Sequence, residues 1–404
     1  MSTDHTNLRP ATSKFRRIIN DSRSLGVLLL LCTLASLILT NIQGIGIHYY
    51  NFWETMIPGF HYLHLPDTII HFVNDALMTV FFFHVAIDIK KEVTTGELSS
   101  PSRMMLPTVS ALFGVAFPAI IFSLTAAGTG YSNGWAIPTA TDIAFTLGMV
   151  SLLGKAVPHS MKVFLTALAI IDDLCAILII ALFYGTSLYF IWLAGVAVAA
   201  FVIFVINRRF QHKFVYFVTV MLALGMWYCM YRSGIHASFA GVILAFILPV
   251  NKMPAFEKRL SLPVNFIIVP IFALANTSIL ISPASVSGLS SPLSLGIILG
   301  LFVGKPLGIS LSVYLMVRLR LVRLTNIRWS RFIGVGILAG IGFTMSIFVS
   351  NLSFPDDKML KDIAKLSVLI ASGLAMVVGY IWLKAFSSSG SDAEPGTVKS
   401  PTED

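Results

Sequence analysis

Apolar residues in this chain fall in long unbroken runs, not in the two-residue alternation of a half-buried strand or the narrow stripe of a soluble helix. The first run is "SLGVLLLLCTLASLILT", residues 24–40. About 18 or more predominantly apolar residues can cross the hydrocarbon core of a bilayer as a helix. The pattern predicts twelve spans, at about 24–41, 68–90, 104–126, 135–153, 161–185, 189–206, 214–231, 233–250, 264–282, 293–317, 331–350 and 364–384. They are numbered 1 to 12 below. The expected fold class is an all-α polytopic membrane protein. Residues 1–23 form an N-terminal tail, 24–386 the membrane domain and 387–404 a disordered C-terminal tail. Residues 1–23 are polar and no small-residue cleavage site follows span 1, so span 1 is expected to remain in the mature protein.

Two spans interrupt the apolar pattern in the same way. Span 4 contains "GWAIPTATDIAFTLG", with Pro138, Thr139, Thr141 and Asp142 inside it. Span 11 contains "GVGILAGIGFTMSIF", with Gly334, Gly336, Gly340 and Gly342. Proline and glycine weaken or break helices. Non-helical backbone survives at membrane depth only where protein or a water-filled cavity satisfies it. Each interrupted span is the middle of a triplet, 3–4–5 or 10–11–12, and the triplets start on opposite sides of the membrane. That predicts an inverted repeat with spans 4 and 11 interrupted at corresponding positions. Paired interruptions of this kind point to a binding site near the midplane. The loop 42–66, "IQGIGIHYYNFWETMIPGFHYLHLP", is rich in aromatics and β-formers and is expected to form an external hairpin, a candidate dimer contact.

Composition agrees with a membrane protein. Mean hydropathy is +0.83 and only 12% of residues are charged, about half the share in a soluble domain. The net charge of +9 could suggest nucleic acid, but its placement excludes that. Of the 28 Lys and Arg residues, all but Arg232, Lys358, Lys361, Lys365 and the intramembrane Lys305 fall in the tails and on one side of the spans. The positive-inside rule then puts both termini of this multi-pass protein in the cytoplasm. Cys32, Cys175 and Cys229 all lie in apolar runs and suggest neither disulfides nor a metal site.

The charges that remain in the membrane carry the functional argument. They are Asp75, Asp142, Asp172, Asp173 and Lys305. A charge at the bilayer centre costs at least about 2.5–3.5 kcal/mol on insertion scales, so such residues are functional candidates. Asp172 and Asp173 lie in "FLTALAIIDDLCAILIIALF", ten residues beyond Lys162 at the cytoplasmic end of span 5. Ten residues of helix carry them about 15 Å inward, near the middle of a roughly 30 Å core. Adjacent helix positions diverge by about 100°, so one carboxylate can face a cavity while the other faces a neighbouring helix.

Two carboxylates in a low-dielectric site do not both ionise unaided. One holds a proton unless a cation replaces it. Carboxylates, Thr hydroxyls and freed backbone carbonyls suit a small hard cation. A site that binds either protons or Na+ exchanges one for the other, with no covalent step and no cofactor. Asp142 either compensates the partial charges of the two broken helix ends or ligates the cation. Thr141 offers an oxygen or satisfies local backbone. Lys305 requires an anionic partner, with Asp172 or Asp173 expected. Asp75 lines the pathway or pairs with another helix. His236, in "YRSGIHASFAG", is a histidine near the outer end of span 8, and His84 is expected to be packed. Asp88 and Glu92 sit at the cytoplasmic end of span 2 beside Lys90 and Lys91.

The stretches "FVNDALMTVFFFHVAIDIKKE", "GWAIPTATDIAFTLG", "FLTALAIIDDLCAILIIALFY", "SGIHASFAGV", "GKPLGIS" and "GIGFTMSIF" occur in that order. Together they resemble NhaA-type sodium/proton antiporters, and the resemblance runs from about residue 12 to 386. NhaA is among the transporters in which paired interruptions mark a midplane ion site. The resemblance implies spans 4 and 11 unwound and crossing, a core bundle from spans 3–5 and 10–12, and an interface bundle from the other spans that supports a homodimer. It implies Asp173 and Asp172 as carriers of cation and proton, Asp142 and Thr141 at the helix crossing, and Lys305 as the buried lysine. It implies that Asp75 matches the second-helix aspartate and that His236 serves pH response and dimer contact. The implied activity is electrogenic Na+ or Li+ efflux across the bacterial inner membrane, driven by proton entry, switched on at alkaline pH, in service of sodium and pH homeostasis.

This chain departs from the pattern at two places. Asp88 stands where a glutamate is usual, and span 9 begins "EKRLSLPVNF", unlike the acidic and histidine pattern that some members carry there. Other readings fit less well. A proton- or sodium-coupled symporter of a small organic anion would share the inverted repeat but would rest on Lys305 alone for its anion. An intramembrane aspartyl protease needs its two aspartates on different helices, and no G-x-G-D motif occurs. The protein is therefore expected to be a carrier and not an enzyme.

Overall fold

A computed structural model describes residues 22–185, 187–210, 213–322 and 328–386. The tail 387–404, and the tail 1–23 apart from its last two residues, lie outside the described residues. The described residues form helices joined by turns and short loops, with one isolated bridge between Met56 and Thr68 and no strand. Ten helices are long and apolar enough to cross a membrane. Trp329–Ala339 and Phe343–Ser353 are bent by 47° at a short break and, taken as one span, bring the count among the described residues to eleven.

Three expectations change. The loop 42–66 is not a two-stranded hairpin over its length: its first half is helical, and a single antiparallel bridge, Met56 to Thr68, closes its second half. Gly46–Trp53 is a helix, entered through Gly44 at φ +83. Tyr49 and Trp53, one turn apart, stack edge-on with centroids at 6.0 Å, and the Tyr49 hydroxyl donates to Ser36 Oγ in span 1 at 3.1 Å. Aromatic spacing of i, i+4 serves a helix face as well as a strand, and packing on span 1 decides between them.

Span 8 is shorter than expected. Its helix is only Phe239–Ile247, nine residues. Gly234 at φ +89 breaks the chain first. The turn that follows is held by Ser233 Oγ, which accepts from Ile235 N–H at 3.2 Å. Leu248 and Pro249 end the helix, since the residue before proline leaves the α region. Lys90 from span 2 caps this end, with Nζ donating to the carbonyls of Ala245, Phe246 and Leu248 at 3.3, 2.8 and 2.5 Å.

Span 9 starts earlier and ends earlier, running Val250–Asn276. Its first turns are polar and lie beyond the apolar stretch. Pro263 sits inside it and is followed directly by a π turn, Val264–Ile268. The missing N–H of proline and its ring force such local adjustments.

Burial places the centre of the molecule. Within the candidate spans, 67% of the most apolar window is buried for spans 4 and 5 and 61% for span 10, against 17% for span 6 and 22% for spans 1 and 7. The peripheral spans turn residues such as Ile191, Phe201 and Phe214 outward, as lipid-facing helices do. Span 3 packs on 4, 5 and 10, span 4 also packs on 5 and 10, and span 12 packs on 10 and 11. Span 2 packs chiefly on 8 and 9, and span 6 on 7.

Candidate functional site

Span 5 is a continuous helix, His159–Phe183. It carries Asp172 and Asp173 into the best-buried part of the molecule, where their exposures are 1% and 2%. Span 4 is not continuous. Ser132–Thr139 is a 3-10 helix, Ala140 to Asp142 are non-helical, and Ile143–Leu153 is an α-helix. The break in span 11 covers Gly340 to Gly342.

The two breaks are hydrogen-bonded to each other. Asp142 N–H donates to Ile341 O at 2.7 Å. Thr141 Oγ1 donates to Ala339 O at 2.7 Å, and Thr146 Oγ1 to Leu338 O at 3.3 Å. These hydroxyls take up carbonyls that the broken helix leaves open. The Phe145 and Phe343 rings, 4.3 Å apart, close the apolar side of the junction.

Asp142 caps both half-helices. Its Oδ1 accepts from Phe145 N–H at 3.1 Å, in the first turn of Ile143–Leu153. Its Oδ2 accepts from Thr344 N–H at 3.0 Å, in the first turn of Phe343–Ser353, and also from the Thr344 hydroxyl. One carboxylate thus faces the positive ends of two helix dipoles. Ser372 Oγ of span 12 takes the neighbouring N–H of Phe343 at 3.1 Å. Asp142→Ala strips two caps at about 1 kcal/mol each. We expect it to lower the thermal unfolding temperature in detergent, with Asp142→Asn losing less because one acceptor oxygen remains.

Lys305 reaches the junction from span 10. A π turn, Gly300–Gly304, immediately precedes it. Gly300 lets this turn approach the broken part of span 4, since a Cβ there would stand 2.6 Å from Pro138 Cβ. Lys305 is wholly buried. Its Nζ donates to Asp172 Oδ2 at 2.5 Å and to Thr141 Oγ1 at 2.7 Å. The ammonium therefore joins span 10 to spans 4 and 5, with no exposed surface on either charged side chain.

Asp173 differs from its neighbour. It lies within the electrostatic reach of Asp172, Asp142 and Lys305, yet its Oδ1 is buried without a hydrogen-bond partner. Asp172 Oδ1 and Ser346 Oγ, from the first turns of Phe343–Ser353, are unpartnered in the same way. Buried polar atoms are rarely left so. Oxygens of this kind are the donor set that a small hard cation selects.

The structure thus brings Thr141, Asp142, Asp172, Asp173 and Lys305 together. It does not bring the other candidates to them. Asp75 sits in a π turn of span 2, Val73–Leu77, and its Oδ1 lies 3.3 Å from His236 Nε2, with both side chains largely buried. His236 Nδ1 is 2.8 Å from Ser238 Oγ. Asp75 and His236 form a separate pair between spans 2 and 8. Asp88 is 3.3 Å from His84 Nδ1, with its own side chain 42% exposed. Glu92 lies one turn further along. Beside them Lys91 Nζ meets Glu257 at 3.0 Å, so an acidic residue does stand at the start of span 9.

Thr344, Ser346 and Ser372 were not singled out by sequence. Thr344 and Ser346 follow Gly342 directly, and a helix restarting inside the membrane needs hydroxyl or carboxylate caps. That signal was present in "GIGFTMS".

Comparison with known proteins follows the same lines. A family model described as Na+/H+ antiporter 1 matches residues 16–383. Na(+)/H(+) antiporter NhaA 2 of Flavobacterium johnsoniae is 44% identical over 385 residues, covering 93% of each chain. Na(+)/H(+) antiporter NhaA of Cytophaga hutchinsonii is 42% identical and covers 92% of this chain and 95% of its own. That of Dechloromonas aromatica is 41% identical and covers 96% and 99%.

Proposed function

The chain belongs to the NhaA family of Na+/H+ antiporters, and from that premise we propose that Asp173 is the carboxylate at which Na+ and H+ compete. The observation that carries this reading is the difference between two adjacent residues. Each keeps an Oδ1 without a hydrogen-bond partner, but Asp172 is held through Oδ2 by Lys305 at 2.5 Å, whereas among the described residues no basic side chain pairs with Asp173. Asp172 Oδ1 and Ser346 Oγ, likewise without partners, are the further hard oxygens that this reading offers the cation.

Binding of Na+ displaces the proton of Asp173. A second proton leaves the Asp172–Lys305 pair, because a cation beside Asp172 weakens the hold of that carboxylate on the ammonium. Two protons against one Na+ moves net charge, so the cycle is electrogenic. Competition sets the pH dependence. Where both groups are protonated, each unit fall in pH raises the Na+ needed for half-saturation by about a hundredfold, and by about tenfold where only one is, so exchange is strongest on the alkaline side. Li+, smaller and equally hard, follows the same route. K+, larger and more weakly held by hard oxygens, is expected not to be exchanged. The distribution of basic loops supports both termini in the cytoplasm, with Na+ leaving on the side of the loop 42–66.

An organic-anion symporter would need a cationic group free for its substrate. Lys305 is occupied by Asp172 and Thr141, which counts against that reading.

The test is exchange by purified protein in liposomes with an acidic interior and an entrapped pH-sensitive dye. Na+ and Li+ added outside should collapse the gradient at pH 8, and K+ should not. A response to K+ equal to that with Na+ would remove the hard-cation site from the proposal.

A further inference from the structure

The half-helix Phe343–Ser353 has two ends with different partners. Its first turn is capped by Asp142 at the ion site. Its later turns face spans 2, 8 and 9. Phe348 is wholly buried there. Its ring centroid lies 5.4 Å from Phe82 of span 2 and 6.2 Å from Phe272 of span 9. It also meets the His236 ring of span 8 edge-on at 5.2 Å. Three residues on, along the same helix face, Asn351 Nδ2 donates to Asn276 Oδ1 at 2.6 Å. Asn276 Nδ2 in turn donates to Asn74 Oδ1 at 2.9 Å. Three amides in series therefore tie span 11 to spans 9 and 2, directly beyond an aromatic plug.

Neither feature is needed to fold a single helix. Apolar packing alone would join these spans, and a buried amide carries a penalty unless it is paired. Asn276 has no exposed surface, so separating span 11 from span 9 leaves it unpaired unless water enters. Such a chain holds only when all three spans are in register, and it releases when water takes over its bonds. The position matters as well. The chain lies at the end of the half-helix nearer Ser353 and the segment leading to span 12, on the side of the loop 42–66. There Lys358 Nζ also meets Glu54 at 3.5 Å and lies over the Tyr50 ring at 5.6 Å. That exposed link holds weakly, so the buried amides supply the selectivity of the contact.

Resting on the antiport reading, we propose that Phe348 and the Asn74–Asn276–Asn351 chain form the gate that closes the ion site toward the side of the loop 42–66, and that this gate opens once in every exchange cycle. The three asparagines are positioning residues. They touch no transported ion, and they set how much of the time the gate is shut.

The experiment uses the full chain with Cys32, Cys175 and Cys229 changed to Ser and a reporter, Ser350→Cys, beside the gate. Labelling of the reporter by a membrane-impermeant maleimide from the loop 42–66 side is measured together with half-saturating Na+ and maximal exchange rate. Asn351→Ala and Asn74→Ala each cut the chain at one end. Loss of one such bond should raise the labelling rate about fivefold. It should also shift half-saturating Na+ further than the maximal rate. Asn74→Gln keeps an amide at the less buried end and should label at the background rate. Because Asn74 is only partly buried, its alanine variant remains informative if Asn351→Ala does not fold. Unchanged labelling in the alanine variants would overturn the gate. Failure of the Cys-free parent and of the unsubstituted protein to exchange Na+ would instead reject the antiport reading, and the labelling ratios would still decide whether the contact opens.

Discussion

Asp173→Asn abolishes Na+-driven proton movement in liposomes at every pH from 6.5 to 9, while the protein still folds and inserts. The amide is close in size and still fills the space, so the packing of Leu165, Leu168 and Ala169 along span 5 is kept. What disappears is the negative charge that attracts the cation and the proton that is traded for it. A charged oxygen replaced by a neutral one in a buried site costs about 1.5–3 kcal/mol, which is roughly 10- to 100-fold in cation affinity. The loss of the exchangeable proton removes coupling altogether. Exchange should therefore fall below detection instead of moving to a new pH range. An Asp173→Asn protein that still exchanges Na+ at high concentration would shift the carrier role to Asp172. Asp173→Glu tests the geometry, because it restores charge but displaces the carboxylate by a methylene.

The second large effect is on stability. Asp172→Asn and Lys305→Met each leave one half of a fully buried ion pair without its partner. Breaking such a pair from one side costs about 3–5 kcal/mol. The Lys305 ammonium also donates to Thr141 at 2.7 Å, so its loss reaches the break in span 4. Each single variant should unfold at a clearly lower temperature in detergent. The double variant Asp172→Asn/Lys305→Met removes both charges, and replacing a buried pair by neutral groups is often nearly free of cost. It should therefore recover much of the stability while exchange stays impaired. If the double variant is as unstable as the sum of the single ones, the pair contributes no coupling and the 2.5 Å contact carries no special weight.

Much of this site was legible in the sequence because charge in an apolar run has so few explanations. Lys305 is the single lysine within a span that has neither a loop nor a span end beside it, so its partner had to be one of the intramembrane aspartates, although 133 positions separate it from Asp172. The breaks were visible as Gly and Pro where helix formers belong. What they bind was not. Asp142 and Thr344 lie 202 positions apart, and no local pattern predicts that one carboxylate caps two half-helices. The amide chain is hidden for the same reason, since Asn276 and Asn351 are 75 residues apart and Asn74 is 202 from Asn276. The loop 42–66 failed differently. Its aromatics have strand propensity, but propensity is a weak guide when one face can pack, and the hydroxyl of Tyr49 on Ser36 rewards a helix. Span 8 failed because Gly234 to Ser238, where Ile235 and Ala237 alternate with polar residues, falls within the expected span although it is not helical.

The π turn ahead of Lys305 has a consequence for how span 10 can change. A π turn holds one residue more than the α-helical stretch it replaces, so the faces before and after it are out of phase by about 100°. Ahead of the turn, Gly296 lies against Thr125 and Phe122 of span 3, and after it Gly308 lies against the backbone at Phe113 of the same span. Both glycines meet span 3 only because the extra residue resets the phase between them. Deleting any one residue from Gly300 to Gly304 would regularise the helix and swing one end away from its neighbour. The length of this segment is thus as constrained as the charge of Lys305, and an insertion or deletion here would be felt at the ion site before any side chain was altered.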